Sequence, residues 1–191
     1  MPAEGRVSLP PVSLETADPQ ARAVLETAKA QVGFIPNMYA NMVNSPGLLE
    51  TYLDGYTRFR SGSGFTPVEQ EVVFLVISTA NGCDYCTAAH SMIADRMSKV
   101  PADILAALRS REPLADARLA ALAKFTQTMF DTRGRPTAAD LVDFRAAGYH
   151  DRHALEIVLA LAVKTLSNYA NHLFHTEVDQ AFAGYKLQPA G

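Results

Sequence analysis

From residue 18 onward, apolar residues recur at three- and four-residue intervals, and no stretch sustains the alternation of a half-buried strand series. The pattern predicts an all-α chain, a helical bundle in which turn residues separate consecutive helices. Asp18-Pro19 supplies an N-cap and a first-turn proline for a helix ending near Gly33, and Ser45-Pro46 repeats the device for a helix through about Arg60. Between them GFIPN (33–37) is turn chemistry, and Ser61-Gly62-Ser63-Gly64 reads as a loop. Further helical periodicity occupies roughly 101–110, 114–131, 137–147 and 151–183, punctuated by Pro113, Gly134-Arg135-Pro136 and Gly148. Residues 1–17, with Pro10 and Pro11, form an extended arm in this reading, and 18–191 form a single all-α domain.

One segment is ambiguous by periodicity. EVVFLVIST (71–79) is apolar and β-branched, as a buried strand would be. The residues before it decide for a helix. Thr66-Pro67-Val68-Glu69 is a capping box with a proline at the first helical position. The segment 67–80 is therefore predicted to be a helix that is apolar nearly all round, and hence buried. Asn81-Gly82 ends it, and a second helix starts at or near Cys83.

Composition narrows the function classes. The formal net charge of -3, from 17 basic and 20 acidic residues without long runs, lacks the electrostatic footprint of a nucleic-acid or anionic-membrane binder. No apolar run approaches the roughly 18 residues of a membrane span, and the first residues do not read as a secretory signal. The expectation is a soluble, cytoplasmic protein. Its two cysteines both lie in NGCDYCTAAH (81–90), and in a reducing compartment a pair at this spacing points to redox catalysis or metal binding.

On the second helix Cys83, Cys86 and His90 fall at i, i+3 and i+7, on one face. Thiols near a helix N-terminus feel the positive end of the macrodipole, and an imidazole one turn beyond Cys86 can take its proton. Two such thiols can also close a disulfide. A closed zinc site needs a fourth ligand, and no second CxxC supplies one; haem attachment needs histidine at position 87, which is Thr87. No metal or cofactor is therefore implied. Glu71 carries two readings: a buried carboxylate with a raised pKa suited to proton exchange, or a first-turn glutamate favoured by the helix dipole.

Glu71, followed after eleven intervening residues by Cys83 in Asn81-Gly82-Cys83-x-x-Cys86-x-x-x-His90, resembles the signature of the alkylhydroperoxidase D-like proteins of the carboxymuconolactone decarboxylase-like superfamily. The core of the likeness covers about residues 65–100; GFIPN, NSPGLL (44–49) and NYANH resemble the longer peroxidase-related branch. The resemblance implies an all-α alkylhydroperoxidase D-like fold and a thiol-dependent peroxidase in which Glu71, Cys83, Cys86 and His90 are the proton-relay and redox residues. Tyr85 stands where the best-known family peroxidase has a histidine; a phenol there can orient a relay by hydrogen bonding but cannot act as a base near neutral pH. The superfamily's lactone decarboxylases lack the cysteine pair.

The mechanism expected from these residues is attack of one thiolate on a hydroperoxide, then condensation with the neighbouring thiol to a disulfide. Attack is assigned to Cys86 and resolution to Cys83, with the exchanged roles left open. Family likeness makes the external dithiol reductant a lipoyl-type adaptor or a thioredoxin-like protein. The rival reading is a non-enzymatic metal-binding or redox-sensing interaction module using the same cysteines. Two further expectations come from pattern alone. Shifting the motif by 85 residues brings Glu71, Cys83, Cys86 and His90 onto Glu156, Asn168, Asn171 and His175, which suggests an internal helix-pair repeat with amides in place of thiols. The apolar positions on several sides of 71–80 and of LEIVLALAV (155–163) suggest a homo-oligomer, dimer or larger.

Overall fold

A computed structural model of the chain describes residues 5–187, and among these every regular element is helical. In chain order they are α1 (Pro19–Val32), α2 (Asn37–Met42), α3 (Pro46–Gly62), α4 (Pro67–Ala80), α5 (Asp84–Arg96), α6 (Ala102–Ser110), α7 (Ala117–Asp131), α8 (Ala138–Ala146), α9 (Asp151–Phe174) and a 3₁₀ segment, Gln180–Tyr185. The starts follow the local chemistry. Asp18 caps α1 by accepting from the Ala21 amide at 2.8 Å, and Gly33, at φ 89°, closes it in the left-handed region. Thr66 and Glu69 form the reciprocal capping box of α4, with the Glu69 carboxylate 2.8 Å from the Thr66 amide.

Helix α4 is the axis of the bundle. Every residue from Glu69 to Ser78 is buried, and α5, α6, α7 and α9 all pack against it. This is the environment that a helix apolar on all sides requires, and the strand alternative for 71–79 is thereby excluded. Helices α3 and α9 close one flank. Their backbones come close because position 55 is glycine: a Cβ there would stand 2.9 Å from Val163 Cγ2.

The sequence reading and the structure differ at three places. GFIPN leads directly into α2, a six-residue helix too short for a periodic signal, whose first amide is received by the Asp179 carboxylate at 3.1 Å. Helix α3 runs on through Gly62 into the stretch read as loop. The segment 151–183 is not one helix: α9 stops at Phe174, where His175 takes the left-handed conformation at φ 48°, and the chain then extends before the 3₁₀ segment. Because α9 is unbroken through positions 166–167, it has no counterpart to the Asn81-Gly82 break, so the helix pair α4–α5 is not repeated there. Residues 1–4 of the arm fall outside the described residues; from Val7 to Val12 it lies on its own chain, with Val7 N–H donating to Leu173 O and Val12 N–H to Ala40 O, both at 2.9 Å.

The contact at Gly55 gives a test of this packing. An alanine inside a helix normally stabilises it by about 1 kcal/mol relative to glycine. Here Gly55→Ala is expected to destabilise by about 1–3 kcal/mol, because the stiff Val163 side chain has no rotamer to retreat into. In a Val163→Ala background the same substitution should become stabilising, a change of sign that urea denaturation of the four variants measures.

Candidate active site

The site is assembled where α4 ends and α5 begins. Gly82 adopts φ 65°, and the Cys83 amide returns to Ser78 O at 2.9 Å, so the chain reverses in two residues. Cys83 is the N-cap of α5, and Cys86 and His90 follow on its inner face; all three are at least 95% buried. The two thiols are unbridged.

Glu71 faces them from α4 and is fully buried. Its Oε2 lies 2.9 Å from His90 Nδ1, and its Oε1 lies 2.6 Å from Arg60 Nη1. Arg60 comes from the last turn of α3, donates to Tyr56 OH at 2.8 Å, and lies over the Tyr56 and Phe74 rings. The expectation of a raised Glu71 pKa is therefore overturned. Burial does push the carboxyl upward, but the His90 hydrogen bond and the Arg60 guanidinium outweigh it, and the group is held below its usual range. Burial and the Lys164 ammonium push His90 down to about 4, so the imidazole is neutral near pH 7. A carboxylate only accepts; the neutral ring must carry its proton on Nδ1, leaving the Nε2 lone pair free.

The sulfurs are held from the opposite side by a polar stripe on α9. Lys164, Ser167, Asn168 and Asn171 lie at helical spacing and are all buried. The Asn171 amide donates toward Cys86 Sγ at 3.3 Å, Cys83 Sγ at 3.8 Å and Met38 Sδ at 3.2 Å. The Cys86 thiol lies 3.8 Å from Ser167 Oγ. Asn168 Oδ1 accepts from Asn81 Nδ2 at 2.9 Å and fixes the turn that precedes Cys83. The two thiols differ in consequence. Burial opposes the Cys86 thiolate, but the Cys83 S–H and the Lys164 ammonium overcome it, with smaller help from His90 and Ser167, and Cys86 is held well below the ordinary thiol range. Cys83, donating to Cys86 and buried beside its charge, is pushed far up.

Tyr85 is placed differently. Its hydroxyl donates to Asp179 Oδ2 at 2.5 Å and accepts from the Met38 amide at 3.4 Å, so it is directed toward α2 and the segment after α9 rather than toward His90 or Glu71. Burial and Asp179 push its pKa up. Tyr85 anchors the start of α5, a role its position between the cysteines did not announce. Arg60 and Lys164 were also missed. Arg60 has no local signal, being brought to Glu71 by tertiary packing. The stripe at 164, 167, 168 and 171 was visible as polar residues in phase with the buried face of an apolar helix.

A small cleft of about 190 Å³ reaches the dithiol from outside, lined by Cys83, Tyr85, Asn171, His172 and His175 among others. Cys83 lines it and Cys86 does not. A larger groove of about 600 Å³ between α4, α6 and α7 touches none of the reactive residues.

This arrangement, a helix pair presenting a buried dithiol with a Glu–His pair behind it, defines a class of all-helical thiol proteins. Residues 46–128, from α3 into α7, match the model of the carboxymuconolactone decarboxylase family. The fold is similar to that of a peroxidase-related protein from Ralstonia eutropha JMP134, described as an alkylhydroperoxidase AhpD core, at 21% identity over 94% of this chain and 96% of that one, with a TM-score of 0.79. A peroxidase-related protein from Silicibacter sp. TM1040 superposes with a TM-score of 0.73 at 23% identity, covering 94% and 96% of the two chains. The debrominase Bmp8, in a cysteine-to-alanine variant bound to 2,3,4-tribromopyrrole, does so with a TM-score of 0.76 at 17% identity over 96% and 97%. No curated protein sequence matches the chain. The fold is thus of the alkylhydroperoxidase D-like type, and its part from α3 into α7 is similar to the carboxymuconolactone decarboxylase family.

The neutral state of His90 has a measurable consequence. An unfolded imidazole takes up a proton below its ordinary value of 6.5, whereas folded His90 does so only near 4. Between these values the unfolded state binds the extra proton, so stability falls as pH falls, by on the order of 3 kcal/mol across the window. Chemical denaturation of the parent and of His90→Asn between pH 7 and 4 should show this slope in the parent and its loss in the variant.

Proposed function

We propose that the protein is a thiol-dependent peroxidase that reduces hydroperoxides through Cys86 and Cys83. The observation that carries this reading is the buried, unbridged dithiol at the start of α5, with the Glu71–His90 pair on one side and the Asn171 amide donating toward both sulfurs on the other. The Cys86 thiolate attacks one oxygen of the hydroperoxide; the O–O bond breaks, the sulfur becomes a sulfenic acid, and the other oxygen leaves as alcohol after taking a proton. His90, neutral, oriented by Glu71 and with Nε2 free, relays a proton from solvent to the departing oxygen. Cys83 then displaces water from the sulfenic acid and the disulfide closes. An external dithiol, lipoyl-type or thioredoxin-like, restores the pair by attacking Cys83, the sulfur that lines the cleft. Arg60 keeps Glu71 ionised, and Tyr85 holds the first turn of α5 in place.

The rival reading, a metal-binding or redox-sensing module, finds less support. Among the described residues no three His, Cys, Asp or Glu side chains converge on a point where a metal ion could sit. No helix of the described residues is long and apolar enough to cross a membrane, and action on soluble hydroperoxides in the cytoplasm fits the balanced charge.

Replacing either Cys83 or Cys86 by serine is expected to abolish dithiol-dependent peroxide turnover while leaving the far-ultraviolet circular dichroism unchanged. Mass spectrometry of the parent after one equivalent of peroxide should show an intramolecular disulfide. Turnover retained in both variants would remove the mechanism, and faster reduction of 2,3,4-tribromopyrrole than of any hydroperoxide would reassign the substrate.

A homo-oligomer is the second part of the proposal. The outer face of α9 exposes Leu155, Val158, Tyr169 and Leu173 at helical spacing, each more than 45% accessible, a stripe that a second copy would cover. Light scattering at micromolar concentration should give a multiple of 20.7 kDa, and Leu155→Asp with Val158→Asp should return it to that mass.

A further inference from the structure

We propose that Lys164 is the counter-cation of the Cys86 thiolate and that this pair sets the redox poise of the dithiol, making the disulfide a stronger oxidant than the same two sulfurs without it. The inference rests on the thiol-redox reading of the site and concerns a residue that lies outside the Glu71, Cys83, Cys86 and His90 constellation.

Lys164 sits mid-way along α9 with no accessible surface, and its Nζ has no hydrogen-bond partner among the described residues. Its one close companion is the Phe74 ring, 5.5 Å from Nζ to centroid, and the same ring lies 4.8 Å from the His90 ring. One turn further along α9, Ser167 meets Cys86 Sγ, and two turns along, Asn171 meets both sulfurs. Through the Phe74 ring on one side and the α9 stripe on the other, the Lys164 side chain borders the same buried chamber as the dithiol.

A count of charges in that chamber identifies its partner. From α3, Arg60 is paired with Glu71 of α4, and the two cancel. On α5, His90 is neutral near pH 7 and Cys83 is held protonated. The buried phenols around the chamber, Tyr39 from α2, Tyr52 and Tyr56 from α3 and Tyr85 from α5, are all pushed upward by burial and stay neutral. Lys164 is left as a cation without an anion unless Cys86 supplies one. An isolated ammonium in such surroundings is costly, so a negative charge on Cys86 is favoured.

The pairing exists only in the reduced protein. Closing the Cys83–Cys86 disulfide consumes the thiolate and the Cys83 proton and releases two electrons to the peroxide, after which the cation faces neutral sulfur. Reduction by an external dithiol regenerates one thiolate and one thiol. Lys164 thus stabilises the dithiol relative to the disulfide, and the second half-reaction is driven by restoring its counter-ion.

The test uses the full chain with Lys164→Met, which keeps the length of the apolar stem and removes the charge. Alkylation of Cys86 by iodoacetamide, followed by peptide mass spectrometry across pH 5–10, should show its midpoint raised by at least one pH step in the variant. Equilibration in dithiothreitol buffers should show the disulfide at least tenfold harder to reduce, which is a potential lower by about 30 mV. The pH dependence of the potential should also change. Near pH 7 the parent takes up one proton per two electrons, about 30 mV per tenfold change in proton activity, and the variant takes up two, about twice that slope.

An unchanged alkylation midpoint in a folded variant overturns the proposal, since an uncharged amine beside an uncharged thiol would give that result. If Lys164→Met does not fold, Cys86→Ser decides: it should be less stable than the parent toward urea, because it strands the cation, and a Cys86→Ser protein as stable as the parent overturns the pairing. None of these readouts needs peroxide. A shifted midpoint and potential in a protein without peroxide turnover would leave the pair standing and remove the peroxidase reading alone.

Discussion

The bundle is organised around a carboxylate placed inside an apolar helix. Burying Glu71 as an anion would cost several kcal/mol if it stood alone, and α4 offers it no partner of its own. Arg60 from α3 and His90 from α5, one to each oxygen, with the Ser98 hydroxyl as a weaker third donor at 3.3 Å, supply the contacts that make the burial tolerable. Three helices are thereby fixed in register by side chains that cannot exchange partners without stranding a charge. Removing Arg60 would leave Glu71 unpaired, which is the costly case; the pair as a whole contributes less to stability than to uniqueness of geometry.

This constraint reaches the sulfurs through His90. Because Glu71 is ionised and His90 neutral, the tautomer of the imidazole is determined, and its free nitrogen lies one turn from Cys86 on the same helix. The other wall of the chamber is α9, whose polar stripe donates to both sulfurs through Asn171. The close approach of α9 to α3, which requires Gly55, brings that wall into place. The packing of the bundle and the chemistry of the dithiol are therefore the same set of contacts seen from two sides.

Much of this was legible in the sequence. The capping box at Thr66 and Glu69 identified α4 as a helix despite its β-branched content, and the i, i+3, i+7 spacing put Cys83, Cys86 and His90 on one face of α5. Asn168 and Asn171 drew notice as amides standing in place of thiols in a suggested repeat; the repeat is absent, and both close buried hydrogen bonds of the site itself. What was not legible depends on distance in the chain. The two readings of Glu71 could not be decided because one of its partners, Arg60, lies eleven residues earlier, on another helix and with no motif around it. Tyr85 was read through its neighbours in sequence, whereas its hydroxyl is determined by Asp179, 94 positions away. The end of α9 at His175 was missed because a non-glycine residue in the left-handed region carries no reliable local signature.

In the proposed cycle the asymmetry of the two sulfurs serves both half-reactions. A thiol favoured as thiolate attacks peroxide readily, and the same property makes it the better leaving group when a disulfide is opened. Cys86 lies against Ser167 and Asn171 of α9 and does not reach the cleft, while Cys83 lines it. A small hydroperoxide has to reach the inner sulfur, but a bulky reductant has only to reach the outer one, and its attack on Cys83 expels Cys86 into the surroundings that stabilise its charge. Exchanging the two roles would require the reductant to penetrate the bundle and would expel the sulfur least able to bear a negative charge. In the proposed cycle the order of events follows from which surroundings each sulfur has, Cys86 against the α9 stripe and Cys83 at the cleft.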